Sequence, residues 1–276
     1  RDESFHLPED IIILGGFSGT ETNSNQRDWE NNITVLSGDI NTPNQINDNS
    51  YNIIKTTNVG NNMLLDGFTI EKGNAVKIST YGQRGGAWLN RTTSGSDTST
   101  PTVKNCIFKN NQSLTSAGAL FLDGVTGSTV GINLEYCTFK DNSSTGGSSG
   151  NGGNGGAITI ETFSGEVTLN VNIENCIFND NSANQNGGAI WSRQNTNDDG
   201  VVNITNSLFY DNIGTGGGLS ILDNGVTTYN IVNCTLTEND GDSEAGAGIR
   251  VWNGTTATVN VHNSILWDNT RSNDPD

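Results

Sequence analysis

An all-β parallel solenoid is the fold class this sequence predicts, and three observations predict it. A signature spanning Asn175 to Trp191 returns along the chain, its apolar residues alternate with polar ones as strands require, and its copies recur about every thirty residues. Aligned on Phe178, the copies are Asn105-Cys106-Ile107-Phe108, Tyr136-Cys137-Thr138-Phe139, Asn206-Ser207-Leu208-Phe209, Asn233-Cys234-Thr235-Leu236 and Asn263-Ser264-Ile265-Leu266. The Cys-slot residues Cys106, Cys137, Cys176, Ser207, Cys234 and Ser264 are separated by 31, 39, 31, 27 and 30 residues. The long interval holds a Gly/Ser/Asn-rich insertion at 143–156, and a solenoid tolerates inserted loops of this kind.

Three short strands per unit are expected. One covers the Cys and Phe slots, and a second precedes it with apolar residues three and five positions before the Cys slot, as in Ile173 and Val171 or Ile204 and Val202. A third follows the Gly-Gly corner, as in Gly187-Gly188-Ala189-Ile190-Trp191. Strands stacked at about 4.8 Å turn each slot into a column, which is a parallel β-helix. The whole chain, 1–276, reads as one such domain, with less regular coils over 1–62 and regular repeats over 63–269. In the early coils Phe68 and Ile70 take the Cys and Phe slots, and Ile11-Ile12-Ile13-Leu14 bounded by Gly15-Gly16 reads as a buried strand and tight turn. Arg1 in place of an initiator Met predicts a processed or excised piece, continued at both ends by further segments of the same parent protein, because bare solenoid ends are open sheet edges.

Composition and charge narrow the function. A formal charge of −17 and a pI near 4.2 argue against nucleic acid and anionic membrane surfaces. No apolar run is long enough to insert in a membrane as a helix. The four cysteines share one repeat slot, which fits neither a disulfide framework nor a zinc site and predicts a row of small buried thiols. His6 and His262 stand alone, so a Ser-His-Asp triad lacks its parts, and neither H-E-x-x-H nor a phosphate-binding G-x-x-x-x-G-K-[ST] occurs.

The paired signatures Phe178-x-x-Asn181 and Gly187-Gly188-Ala189-Ile190 resemble the repeats of the polymorphic outer-membrane proteins. Gly15-Gly16-Phe17-Ser18-Gly19-Thr20-Glu21, with Arg27-Asp28-Trp29 and Leu36-Ser37-Gly38-Asp39, resembles large surface β-helix proteins exported by type IX secretion. The resemblance implies a right-handed, pectin-lyase-like parallel β-helix, secreted or displayed at a bacterial outer membrane, serving adhesion. It carries no catalytic residues across, since one solenoid hosts adhesins, lyases and inert stalks.

Three rows carry the candidate chemistry. Asn111, Asn142, Asn181, Asn212, Asn239 and Asn269 fit a repeated left-handed turn whose amides bond from coil to coil. One position earlier, Asp141, Asp180, Asp211, Glu238 and Asp268 form an acidic row that is either a solvated edge or a calcium site built of oxygen ligands, calcium being the single cofactor considered. On the strand after the Gly-Gly corner, an outward face of Phe121, Trp191, Arg91, Arg193 and Trp252 is expected to stack on and hydrogen-bond a ligand. Asp123 and Glu161 fall on neighbouring coils of that face, close enough to suit a two-carboxylate glycosidase, with Arg193 beside them. The leading expectation is a surface β-helix presenting a site for an extracellular glycan or surface protein without catalysis. The alternatives are a polysaccharide lyase or hydrolase using Asp123, Glu161 and Arg193, and a structural stalk or filament.

Overall fold

A computed structural model describes residues 1–77, 83–146, 152–163, 165–241 and 246–271. The chain winds as a right-handed parallel β-helix: every strand pairing is parallel, and each strand bonds to the equivalent strand one coil away. A parallel crossover in one sheet takes the right hand for steric reasons. One coil shows the plan. Thr168–Glu174 lies in a long-strand sheet, Ile177–Asn179 in a Phe sheet, Ser182–Asn186 in a short corner sheet, and Ile190–Gln194 in a flank sheet. The expected three strands per coil build the eight- and nine-stranded walls, and the fourth, short strand fills the corner after the Asn slot.

The coil turns on single residues. Asn105, Tyr136, Asn175, Asn206, Asn233 and Asn263 hold φ between 50° and 55° where the long-strand sheet passes into the Phe sheet. Asn110, Asp141, Asp180, Asp211, Glu238 and Asp268 hold φ between 51° and 55° where the Phe sheet ends. Short polar side chains tolerate this left-handed conformation best, which is the reason for the Asn and Asp enrichment. The expectation had placed that turn on Asn111, Asn142 and their row; it belongs one residue earlier, on the acidic row.

The Asn row itself faces inward. Asn181 donates from Nδ2 to Phe139 O at 2.9 Å and to Asn212 Oδ1 at 2.9 Å, while its own Oδ1 accepts from Asn142 Nδ2 at 3.0 Å and from the Asn142 backbone N at 3.1 Å. The pattern repeats from Asn111 to Asn269, so the amides replace the backbone bonds that the corner forgoes.

Apolar columns fill the lumen. The rings of Phe108, Phe139, Phe178 and Phe209 stack face to face with centroids 4.6 to 4.9 Å apart. The cysteines are buried and free, as expected. Each closes its corner: the Cys176 thiol donates to Glu174 O at 3.3 Å, and Ser207 Oγ in the same slot donates to Thr205 O at 2.8 Å and accepts from Cys176 N. A small chalcogen donor fills the slot from Cys106 onward, where the coil before has Phe68, and burial pushes the Cys106 thiol up to about 12.

The first coils are pinned by the opening motif. Arg27 is ion-paired with Asp66 and lies over the Trp29 ring at 4.8 Å, while Asn105 donates to the other Asp66 oxygen at 2.8 Å. Gly16, at φ 89°, passes so close to Trp29 that a Cβ would come within 2.7 Å of the Trp29 backbone N. Glu21 accepts from the backbone N–H groups of Ser18, Gly19 and Thr20 and from the Ser18 hydroxyl, and the bonds from Ser18, followed by Gly19, lower its carboxyl to about 2. This opening motif is thus occupied with folding the first turn. At the other end the last coil leaves Leu266, the Phe-slot residue, 47% exposed.

Candidate functional site

The flank sheet inherits its geometry from the Gly-Gly corner. Gly187 sits at φ 64°, and a Cβ there would come within 2.2 Å of Ile190 O, so a side chain is excluded where the chain doubles back. Beyond the corner Trp88, Leu120, Ile158, Ile190 and Leu219 point into the lumen and are buried. The next residues of each strand point away from the lumen, as expected, but not into solvent. Phe121 and Trp191 are 0% and 3% exposed. The expectation that they offer open faces for stacking on a ligand is corrected here. The segments leading into the Gly-Gly corners fold back over this face, bridging Arg84 to Ser116 and Ser116 to Asn154, and Asn186 ties on by donating to Asn154 Oδ1 at 2.8 Å. Leu89, Ala117 and Phe121 then form a second, smaller core outside the solenoid wall.

Asp123 and Glu161 are brought onto adjacent strands, since Leu122 pairs with Ile160 immediately before them. Arg91 pairs with Asp123 and Arg193 with Glu161, giving a column of Arg, Asp, Glu and Arg down four coils. Arg193 Nη1 lies 3.1 Å from Glu161 Oε1. Burial raises the Glu161 carboxyl above its ordinary value, with Arg193 and then Arg84 pulling it back. A raised carboxyl is what a general acid needs, but Asp123 and Glu161 are 2% and 5% exposed, so both carboxyls lie largely beneath the surface as the strands stand. Two surface grooves lie elsewhere, one on the Phe sheet around Ile33, Ile107 and Tyr136 and one on the long-strand sheet around Asn133 and Asn172.

What this face does expose is a band of aromatic and cationic groups. The Arg84 guanidinium covers Phe163 at 4.2 Å and Phe121 at 5.2 Å, leaving Phe163 48% exposed. Arg250 lies over Trp252 at 3.6 Å, and the Trp252 Nε1–H donates to Ser220 Oγ at 3.0 Å, fixing the indole plane. Trp191 meets Trp252 edge to face from beneath, at 6.3 Å. Arg193, half exposed, stands between the two clusters in the column. Of the residues expected on this face, Arg193 is exposed, and Arg91 and Trp252 are part-buried in the same column. Arg84 and Phe163 were not among the residues expected: Arg84 holds the slot just before the Gly-Gly corner, which Ser116 and Asn154 fill in the next coils, and Phe163 lies just beyond its strand.

The acidic row lies fully on the outside. Asp141, Asp180, Asp211, Glu238 and Asp268 are exposed, Asp180 receives Asn179 Nδ2 at 2.6 Å, and Lys140 approaches it at 3.8 Å. Among the described residues, no group of three or more His, Cys, Asp or Glu is placed to hold a metal ion. The left-handed turn accounts for the Asn and Asp residues at this position.

A row absent from the sequence expectations runs down the outside of the long-strand sheet. Asn172, Asn203, Asn230 and Asn260 each donate from Nδ2 to the Oδ1 of the asparagine one coil before, starting at Asn133, at 2.9 to 3.0 Å. The signal was an Asn four residues before every Cys slot from Cys137 onward, at Asn133, Asn172, Asn203, Asn230 and Asn260, where Thr102 precedes Cys106.

Compared with known proteins, residues 175–193 match the Chlamydia polymorphic membrane protein repeat, over the stretch that holds the Cys, Phe and Asn slots and the Gly-Gly corner. No curated protein and no solved structure matches the chain. The matched residues are the ones whose slots the fold explains, so the chain is similar to those repeats in the elements that wind the coil.

Proposed function

We propose that this protein is a surface-displayed β-helix that presents a contact face for an extracellular glycan or a surface protein and carries out no chemistry on it. The observation supporting this reading is the flank-sheet band: Phe163, Arg193 and Trp252 are held at the surface by Arg84, Glu161, Ser220 and Arg250 on a rigid multi-coil wall. Planar aromatic faces beside arginines suit sugar rings and protein side chains alike, and ordering them in advance lowers the entropic cost of binding. The burial of Asp123 and Glu161 favours support of that band over hydrolysis. Similarity to polymorphic membrane protein repeats over 175–193 is consistent with surface display.

The test uses beads coated with the purified protein, counted on cultured epithelial cells before and after periodate or trypsin treatment of the cells. Binding is expected to fall at least fivefold for Arg193→Ala combined with Trp252→Ala. Loss of binding after periodate identifies a glycan partner, and loss after trypsin a protein. In parallel, release of reducing ends or unsaturated products from glycans by the wild-type protein, abolished by Asp123→Ala and Glu161→Ala, would replace this reading with an enzymatic one.

A further inference from the structure

The outer asparagine ladder has unused hydrogen-bonding capacity. A side-chain amide has two N–H groups and an oxygen with two lone pairs. In the ladder Asn203 uses one N–H on Asn172 Oδ1 and one lone pair on Asn230 Nδ2, each at 2.9 Å, and Asn230 does the same between Asn203 and Asn260. Asn172 commits its second N–H to Asn170 Oδ1 at 3.1 Å, which draws a further amide into the array. Asn133 gives an N–H to Thr100 O at 3.5 Å as well, and the ladder residues, all part-buried on the outside of the sheet, remain in reach of solvent. Successive coils present them at about 4.8 Å, the parallel strand spacing.

Beside this row lies a shallow groove of about 450 Å³, lined by Ile12, Leu64, Lys104, Asn133, Glu135 and Glu174 among others. Ile12 is 63% exposed and offers an apolar floor at one end. Lys104 is paired with Glu135 at 2.7 Å, which leaves Glu174 to set the local sign as negative. An array that alternates donor and acceptor at one strand spacing complements a polymer whose hydroxyls both donate and accept and whose units advance by close to one strand spacing. An acidic polymer would be repelled by Glu174 and by the net charge of −17.

We infer that the outward face of the long-strand sheet, centred on Asn133, Asn172, Asn203 and Asn230, binds a linear neutral polysaccharide laid along the solenoid axis. This surface is on a different wall from the band of Phe163, Arg193 and Trp252. Variants on one wall therefore leave binding on the other in place, and the two readings fail separately.

Affinity electrophoresis in gels containing soluble linear β-1,4-glucomannan, xylan or polygalacturonate tests it. The full chain is expected to be retarded by at least one neutral polymer and not by polygalacturonate. Hexasaccharides should compete better than trisaccharides, because a longer ligand spans more coils. Asn172→Thr with Asn203→Thr is expected to raise Kd at least tenfold. Thr205→Arg keeps every ladder bond and lays a long side chain beside Asn203, so the same loss is expected there, and it decides the matter if the double variant does not fold. No retardation by either neutral polymer, retardation unchanged in Thr205→Arg, or stronger retardation by polygalacturonate would each overturn the assignment and leave the ladder purely structural.

Discussion

Two asparagine ladders run through the regular coils of this solenoid, and they differ in exposure and in what else they bond. The inner ladder, Asn111 to Asn269, bonds coil to coil at 2.8 to 3.0 Å, and so does the outer one, Asn133 to Asn260, at 2.9 to 3.0 Å. Inner members such as Asn142 and Asn181 are 0% exposed and also satisfy a backbone N–H and a backbone carbonyl of neighbouring coils. Outer members are half-buried and satisfy mainly one another. The same residue at the same spacing is obligatory where it completes the buried backbone and optional where water can replace it.

Substitutions can break this contrast at several points. The largest loss is expected from the column beside the inner ladder: Phe178→Ala removes a ring stacked between Phe139 and Phe209, at a cost of about 3 to 5 kcal/mol by urea unfolding. Asn181→Ala should cost about 3 kcal/mol by the same measurement, because it strands the Asn142 N–H and the Phe139 carbonyl in the interior. Asn203→Ala in the outer ladder should cost about 1 kcal/mol or less, and a loss equal to that of Asn181→Ala would abolish the distinction drawn here. Tyr136→Asn should gain about 1 kcal/mol, since Tyr136 holds φ 55° while 61% exposed, so little packing is lost and the left-handed strain is relieved.

The smallest effect concerns pH. The Glu161 carboxyl is raised in the fold, so the native state holds its proton more tightly than the unfolded chain. As pH rises through the ordinary value of 4.5 the unfolded chain ionises first, and stability from this group is lost up to the raised native value. The melting temperature of Glu161→Gln relative to wild type should therefore rise between pH 4 and neutrality, and a relative fall over that range would show that the Arg193 pairing outweighs burial.

Much of the coil was legible from residue types alone. The Cys and Phe slots predicted the columns that Cys176 and Phe178 occupy, because a lumen of fixed width admits one small and one large residue at the same place in every turn. The turn residue was misread by one position, since Asn181 and Asp180 are both acceptable in a left-handed turn and only the fold says which one faces inward. The site was less legible still. Trp191 and Arg193 read as one outward stripe, yet Trp191 is 3% exposed while the Arg193 side chain is 48% exposed. Trp191 is covered by packing across coils, as where it meets Trp252, and alternation along one strand does not report that.

Sequence by itself determined the parallel solenoid, its coil spacing and its inner columns, because each is a local requirement repeated at fixed intervals and so written many times over. Only the tertiary structure decided what each wall exposes: Arg84 and Ala117 cover Phe121 on the flank sheet, Asp123 and Glu161 are buried in its Arg, Asp, Glu and Arg column, and the outer Asn ladder lies part-buried on the outside of its sheet. Exposure depends on what a neighbouring segment covers, and that relation joins residues far apart in the chain that share no period.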